Sequence, residues 1–283
     1  MNKQKWLLFL LAGLLIFVLA ACGAGDEEDE TSAENEDDTE ETEQTEDTEA
    51  ESQEEEASND GQVISMGTSA DFPPFESFDE SGEFVGFDID LANMIAEELG
   101  YELEIQDMNF DGLIGALQSG RVDMVLAGMS ATEERQENVN FSTPYHHSGE
   151  MFVTQPDSDV QEMEDLEGQT VGVQLGTIQE EGARQLQEEY DFELKQVDEA
   201  TNLIQEIMTN RIDVAYMDKT VAEGYIEEQD LTGFDDTSSA APGMAVAFPK
   251  DSEIHEEVSE IIEQFLDDGT IAELEEKWEL DEE

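Results

Sequence analysis

The sequence predicts an α/β fold made of two similar lobes, and three observations lead to it. From position 62 onward, apolar segments of strand character alternate with amphipathic helical segments, the pattern of α/β proteins with mostly parallel sheets. A helix, Gly-Arg-Val-Asp at 120–123 and an apolar strand recur as a helix, Asn-Arg-Ile-Asp at 210–213 and a second strand. The length of 283 residues accommodates one such two-lobed domain.

The first half of this alternation contains two strands and three helices. We predict strands over 63–66 and 122–126, helices over 88–99 and 111–119, and a further helix that begins near 131. Apolar residues share one face of the 88–99 segment, and Gly100 follows as a helix-ending glycine. Ser130 and Glu133 have the spacing of a capping box, which favours a helix start directly after Ser130.

The second half repeats the theme. We predict strands over 171–175, 212–216 and 244–248, and helices from 177 to about 189 and over 200–209, 253–266 and 271–278. In open α/β sheets, ligands sit beyond the carboxyl ends of strands. That rule points to the segments 127–130, 176–178 and 216–218, so we expect a ligand cleft between the two lobes.

The charge of the chain excludes several kinds of partner. Its formal net charge is -66, from 10 basic against 76 acidic residues. Such a field repels the phosphates of nucleic acids and of anionic membrane surfaces, so we expect neither as a direct partner. The field also repels itself, and salt relieves this repulsion because the Debye length falls to about 3 Å near 1 M. The composition therefore predicts a halophilic, acidic surface.

The N-terminus has the pattern of an export signal. Lys3 and Lys5 precede an apolar run over 6–18, and Leu19-Ala20-Ala21 leads to Cys22. This ending resembles a bacterial lipobox, which implies a signal peptide over 1–21 and lipidation of Cys22. An uncleaved membrane helix is the alternative, but the run is short for a span of about 20 residues. We expect a protein held on the extracytoplasmic face of the cell membrane by its lipid alone.

The segment 22–60 is dominated by Glu, Asp, Thr, Ser and Gln and contains no aromatic residue. A chain of this composition cannot bury enough apolar surface to offset its ordering entropy. We therefore predict a disordered acidic tether that holds the folded domain away from the membrane. A tail that buffers cations is the alternative.

Two charged residues are candidates for ligand contacts. Arg135 falls on the first turn of the helix predicted after Ser130, where a guanidinium and helix N–H groups together suit a carboxylate. The alternative is a surface ion pair with Glu134 or Glu137, and spacing alone favours that alternative. Asp218 follows a predicted strand and precedes a helix, so it is either a helix cap or a carboxylate that binds an ammonium group.

Two aromatic residues lie on loops at predicted strand ends. Phe72 belongs to the rigid Phe-Pro-Pro-Phe loop over 72–75, and Phe110 precedes a helix. Aromatic rings in such loops suit the walls of a ligand site, although each is also compatible with a place in the core.

Five segments in order resemble the bacterial extracellular solute-binding proteins of family 3, over about 63–278. They are GTSADFPPFES, FVGFDIDLANMIAEELG, FDGLIGALQSGRVDMVLAGMSATEERQENVNFSTPY, LEGQTVGVQLGT and RIDVAYMDK. The resemblance implies the type II periplasmic-binding-protein fold, with two α/β lobes joined by a two-strand hinge around a ligand cleft. Lobe 1 would comprise 61–148 plus 245–283 and lobe 2 would comprise 149–244, with crossovers near 147–151 and 239–244.

The resemblance also implies a function and a set of ligand contacts. The protein would capture a free amino acid by lobe closure and deliver it, as a monomer without cofactor or metal, to the permease of an ABC transporter. Arg135 and the backbone N–H groups of Ser130 and Ile178 would bind the carboxylate of the ligand, and Asp218 with the carbonyl of Gly128 would bind its ammonium group. Phe72 and Phe110 would form the walls of the site. The remaining implied contacts in the cleft are Ser69, Glu76, Gln174, Thr177 and Gln179.

The ligand's identity is less constrained. Ser69 stands where binders of basic amino acids in this family often have Asp, which favours a polar or uncharged amino acid such as glutamine. Asp71 and Glu76 lie nearby and keep a basic ligand open. Two other functions compete: a ligand-sensing domain that acts through a partner, and a dehydratase-type enzyme on the same fold. The sequence has no Ser/His/Asp arrangement typical of hydrolases, and His146 and His147 adjoin a predicted crossover, where a hinge or polar-surface role is expected.

Overall fold

The computed structural model describes residues 61–280. The predicted signal peptide (1–21), Cys22 and the acidic tether (22–60) lie outside the described residues. Within 61–280, no helix combines the length and the apolar character that crossing a bilayer requires.

Twelve strands and eight α-helices make up the described part of the chain. The strands are β1 (Gln62–Thr68), β2 (Ser77–Phe78), β3 (Phe84–Val85), β4 (Tyr101–Asp107), β5 (Met124–Val125), β6 (Asn140–Phe141), β7 (Glu150–Thr154), β8 (Thr170–Gln174), β9 (Glu193–Val197), β10 (Val214–Asp218), β11 (Thr232–Asp235) and β12 (Ala247–Phe248). The helices are α1 (Phe87–Leu99), α2 (Leu113–Gln118), α3 (Glu133–Asn138), α4 (Ile178–Leu186), α5 (Ala200–Met208), α6 (Lys219–Gln229), α7 (His255–Asp268) and α8 (Thr270–Lys277).

Ten of these strands form two five-stranded sheets, one in each lobe. The first has the order β4-β1-β5-β12-β6, and the second has the order β11-β7-β10-β8-β9. In each sheet, two pairings are parallel and two are antiparallel. The expectation of mostly parallel sheets is therefore wrong, because β7 and β12 enter their sheets from the inter-lobe crossovers and run against the strands beside them.

Helix α1 follows the predicted pattern closely. Leu91, Ile95 and Leu99 are buried on one face, and Gly100 ends the helix in the left-handed conformation with φ 71°. The apolar face packs against the first sheet, so this helix belongs to the core of lobe 1.

Other element boundaries differ from the prediction. The capping box at Ser130 is wrong: Thr132 caps α3, because its hydroxyl accepts a hydrogen bond from the backbone N–H of Arg135 at 3.2 Å. The segment predicted as a helix over 111–119 begins as a 3₁₀ turn at 110–112 before α2. The strand predicted over 244–248 is regular only at 247–248, because Met244 makes isolated bridges to Ser130 and His146 instead.

The two lobes are joined by two crossovers that lie side by side. The backbone N–H of Tyr145 donates to the carbonyl of Met244 at 2.9 Å, and the N–H of Met244 donates to the carbonyl of His146 at 2.9 Å. The outgoing and returning chains thus form the two-strand hinge of the type II periplasmic-binding-protein fold. The lobe boundaries at 148/149 and 244/245 stay a prediction.

His146 lies inside the hinge region, so the polar-surface alternative does not apply to it. Its ring is 6% exposed, packs 5.3 Å from the ring of Phe75, and contacts the carboxylate of Glu275 through Nδ1 at 2.9 Å.

The loop that carries Phe72 and Glu76 is docked on the start of α1. The backbone N–H groups of Phe87 and Asp88 donate to the carbonyls of Pro74 and Phe75 at 3.0 and 2.9 Å. Gly86 makes this approach possible, because its φ is 140° and a Cβ there would lie 2.0 Å from the Phe75 carbonyl oxygen.

Gly86→Ala is expected to lower the free energy of unfolding by at least about 2 kcal/mol, from backbone strain together with the overlap at Phe75. Chemical denaturation measures this. The matched control is Gly82→Ala, since Gly82 also has positive φ (83°) but nothing lies within 4 Å of its added Cβ. Equal losses in the two variants would contradict the close docking of this loop.

Candidate functional site

A cavity lies where strands from both sheets end. It is lined by Ser69, Asp71, Phe72, Glu76, Phe110, Ala127, Gly128, Ser130, Arg135, Gln174, Thr177, Ile178, Gln179, Asp218 and Met244. All twelve residues that were predicted from the sequence to bind a ligand are among them. Their contact with a ligand stays a prediction, but the fold does bring them to one place.

Arg135 is a buried residue that forms part of the cavity wall. Its guanidinium donates to the carbonyl of Ser130 at 2.8 Å. It also donates to the carbonyl of Gly176, which belongs to the other lobe, at 3.1 Å. It lies 5.3 Å from the ring centroid of Phe110, within range of a cation–π contact. The side chain is 9% exposed, so the alternative of a surface ion pair is wrong.

Both hydrogen bonds that the guanidinium of Arg135 makes within residues 61–280 go to backbone carbonyls and neither goes to a carboxylate. Burial lowers the pKa of Arg135 from its usual range to about 10, and the charges of Glu181 and Glu134 oppose that change, so the side chain stays cationic at neutral pH. A guanidinium has five N–H donors. Two of them hold the carbonyls above, and the remaining donors suit the oxygens of a bound carboxylate.

Asp218 both ends β10 and caps α6, so the two interpretations of this residue are compatible. Its carboxylate accepts the backbone N–H of Val221 at 3.3 Å, and the residue is 5% exposed. Burial raises its pKa from 3.8 to about 7, although hydrogen bonds from Ser148 and from the start of α6 act in the opposite direction. A cation in the cavity would favour the ionised form of this carboxyl group.

The aromatic walls depend on a glycine. Gly128 has φ 55°, and a Cβ there would lie 2.8 Å from the ring of Phe72. Its N–H donates to the carboxylate of Asp88 at 2.8 Å. The ring of Phe72 can therefore lie directly against the backbone that follows β5, while Phe110 covers Arg135 from another strand end.

One end of the cavity is strongly acidic. Glu76 is fully buried, and no N–H or O–H donor in the described part of the chain reaches either of its carboxyl oxygens. Burial, reinforced by the charges of Asp88 and Asp71, raises the pKa of Glu76 well above its usual range. Burial also raises the pKa of Asp71 to about 6. This end of the cavity is thus suited to a positively charged group.

Asp71 also joins the lobes. Its carboxylate accepts hydrogen bonds from Gln174 Nε2 at 3.2 Å and from the backbone N–H of Ala200 at the start of α5. Together with the contact from Arg135 to Gly176, it ties lobe 1 to lobe 2 on two sides of the cavity. Sequence reasoning placed Asp71 near the site but gave it no contact, because nothing in the local pattern indicates that α5 of the other lobe approaches it.

The start of α4 forms the lobe 2 side of the cavity. The hydroxyl of Thr177 caps this helix by accepting the N–H of Glu180 at 3.2 Å, and it donates to the carbonyl of Gln174 at 2.8 Å. The helix begins at Ile178, so its first N–H groups point out of the helix end, where they suit an anion. Gln179, at 7% exposure, adds a buried amide.

These features define a class of protein. Two α/β lobes on a two-strand hinge, with a cavity at the strand ends that holds a buried cation and buried carboxylates, are the architecture of the two-lobed solute-binding proteins. Residues 64–281 match the bacterial extracellular solute-binding proteins of family 3, and the chain belongs to that family. Its members bind amino acids and deliver them to ABC transporters.

Relatives over nearly the whole length are amino-acid-binding proteins. The arginine-binding extracellular protein ArtP of Bacillus subtilis is 39% identical over 278 residues, which cover 97% of this chain and 98% of the relative. A probable histidine-binding protein of Campylobacter jejuni is 33% identical over 237 residues, covering 81% of this chain and 90% of that protein.

The fold is also similar to solved structures. An ancestral arginine-binding protein bound to arginine has a TM-score of 0.73 and 39% identity, covering 76% of this chain and 97% of the other. An ancestral amino-acid-binding protein described as a precursor of cyclohexadienyl dehydratase has a TM-score of 0.71 and 33% identity, covering 76% of this chain and 95% of the other.

The raised pKa of Asp218 predicts a trade-off between stability and binding. The folded pKa of about 7 lies above the unfolded value, so this carboxyl stabilises the ligand-free fold at low pH and loses that contribution as the pH rises through 7. Asp218→Asn keeps a capping oxygen. The change in Tm that this substitution causes in the ligand-free protein should be more positive at pH 8 than at pH 5, by at least about 2 °C.

Thermal unfolding at the two pH values measures this difference. The control is Asp230→Asn, because Asp230 is an exposed residue at a helix end whose φ of 54° suits Asn. A pH-independent effect of Asp218→Asn would contradict the burial of an ionisable Asp218.

Proposed function

We propose that this protein is an extracytoplasmic binding protein that captures a basic amino acid of the arginine type and delivers it to an ABC importer. The observation that carries the proposal is the buried carboxyl of Glu76, which receives no hydrogen bond from an N–H group of residues 61–280 and which lines the same cavity as Arg135 and Asp218. A free arginine has three charged groups, and each meets a group of opposite charge in this cavity.

The two groups on the ligand's α-carbon account for Arg135 and Asp218. Arg135 binds the carboxylate through its remaining N–H donors, assisted by the backbone N–H groups of Ser130 and Ile178. Asp218 binds the ammonium, assisted by the carbonyl of Gly128. A pair of opposite charges on one carbon distinguishes an amino acid from most other small solutes, so these contacts set the class of ligand.

The rest of the cavity selects the side chain. Phe72 and Phe110 cover its aliphatic part, with a burial term of about 25 cal/mol per Å². Glu76 and Asp71 attract its positive end. Arginine binding by a 39% identical relative and by an ancestral structure supports the same choice.

This choice replaces the preference for an uncharged side chain that Ser69 suggested. The hydroxyl of Ser69 donates to the carboxylate of Asp71 at 3.0 Å. Ser69 therefore orients the carboxylate of Asp71, two residues further along the chain. The negative charge that an Asp at position 69 would supply comes instead from Asp71 and Glu76.

Lobe closure completes the function. Closure around the ligand excludes water and strengthens the charge-assisted hydrogen bonds, so the ligand shifts the population toward the closed form that a permease recognises. The protein acts in this scheme as a monomer and by binding, with no catalytic step.

The location follows from the N-terminal sequence. Cleavage before Cys22 and its lipidation would anchor the chain, and the acidic 22–60 segment would hold lobe 1 (61–148 plus 245–283) and lobe 2 (149–244) away from the membrane. The excess of acidic residues suits this domain to salt-rich surroundings.

Arg135→Ala and Arg135→Lys should each lower the affinity for every amino acid tested by at least about tenfold, because a lysine keeps the charge but not the planar fork of donors. Titration calorimetry at high salt measures the loss. Arg121→Ala is the control, since Arg121 is exposed and outside the cavity. Unchanged affinity in both Arg135 variants would remove this residue from the site.

Glu76→Gln should lower the affinity for arginine by at least about tenfold, the loss of one charged contact. The affinity for citrulline, which has the same shape without the guanidinium charge, should change by less than about threefold. Calorimetry with the two ligands gives the ratio. Equal losses for both would contradict a charge-reading role of Glu76.

A further inference from the structure

The carboxyl group of Glu76 has a second carboxyl beside it. The carboxyl groups of Glu76 and Asp88 lie close enough for one to hydrogen-bond to the other, and both residues are fully buried. Apart from this contact, no N–H or O–H donor among residues 61–280 reaches the two oxygens of Glu76 or Oδ1 of Asp88. Ionised carboxylates only accept hydrogen bonds, so this contact requires a proton on one of the two groups.

The surrounding donors decide which group holds the proton. Asp88 Oδ2 accepts the N–H of Gly128 at 2.8 Å and the hydroxyl of Tyr145 at 2.8 Å, and both bonds stabilise a charge on Asp88. Burial raises the pKa of Tyr145 well above its usual range, so that hydroxyl stays a donor. Glu76 has no such donors, and it is therefore the neutral acid that donates to Asp88.

Other charged and titratable groups close to the pair are few and come from several elements. Asp71 precedes Glu76 on its own loop, Asp218 faces it from the end of β10, Arg135 lies in the same cavity, and His146 packs on Phe75 while it contacts Glu275. Acids outnumber the cation Arg135 in this set, so the surroundings disfavour a second negative charge at Glu76.

We propose that Glu76 and Asp88 form a carboxylic acid–carboxylate pair that gives up its proton when the positive end of a basic ligand arrives. The O–H bond of Glu76 breaks, the proton passes to solvent, and the ionised carboxylate pairs with the ligand's cation. One positive charge leaves the site and another enters it, so the net charge inside the site is a single negative charge before and after binding. This inference rests on the proposed function, because it needs a ligand with a charged side chain.

The exchange has a measurable consequence for pH. An opposite charge within hydrogen-bonding distance favours the ionised carboxyl, so basic ligands and protons compete for Glu76. Affinity for arginine should rise with pH by up to about tenfold per unit while the pair is protonated. Citrulline lacks the charge on its side chain. Both ligands have the α-ammonium group, so both share any proton that Asp218 loses to solvent when it binds that group.

The test counts protons by titration calorimetry at pH 7 in phosphate and in Tris, whose ionisation enthalpies differ. Arginine should release about one proton more than citrulline from the unaltered protein. Glu76→Gln should abolish that difference, because its amide can hydrogen-bond to Asp88 without a proton to lose, whereas the exposed control Glu80→Gln should preserve it.

Equal proton counts for arginine and citrulline, with both ligands bound, would overturn the pair and leave the proposed function intact. Failure of arginine to bind would instead contradict the proposed function and the pair with it. A ligand-free measurement is independent of both: the infrared difference spectrum of unaltered protein minus Glu76→Gln at pH 7 should contain the carbonyl stretch of a protonated carboxyl. Its absence would also overturn the pair.

Discussion

Buried charge that lacks a full set of partners is the constraint on which the rest of this structure depends. Arg135 and Asp218 both line one cavity and are 9% and 5% exposed. Burial lowers the pKa of Arg135 and raises the pKa of Asp218, and both shifts favour the neutral form of the side chain. Removing ions from water is costly unless another charge compensates them. An amino acid has both compensating charges on one carbon, so in the proposed site its binding would neutralise the two charges that folding leaves without partners.

Each of these groups is fixed by a helix start: Arg135 by the Thr132 cap of α3, and Asp218 by its own capping bond to α6. The loop carrying Glu76 is held on α1 by backbone hydrogen bonds, and Gly86 permits that close approach. Rigid placement of these groups within each lobe, on either side of a two-strand hinge, suits the capture by closure that we propose.

Much of this could be predicted from the sequence, because strands, helices and strand ends are local patterns. The rule that ligands lie beyond strand ends pointed to the segments after β5, β8 and β10, and residues of all three segments line the cavity. Spacing alone could not decide whether Arg135 pairs at the surface or turns inward. The Ser130 cap failed because Thr132, two residues later, competes for the same role. The antiparallel strands, the contact of Asp71 with α5 and the contact of Glu76 with Asp88 depend on segments far apart in the chain, which no local pattern reports.

A crystal structure of the protein grown with L-arginine at high salt tests the central claim most directly. The account predicts the ligand in the cavity between the lobes, its α-carboxylate within hydrogen-bonding distance of the Arg135 guanidinium and its α-ammonium on the Asp218 carboxylate, with the side chain directed at Glu76. A ligand bound elsewhere, or bound here with Arg135 and Asp218 contacting neither of those groups, would contradict it.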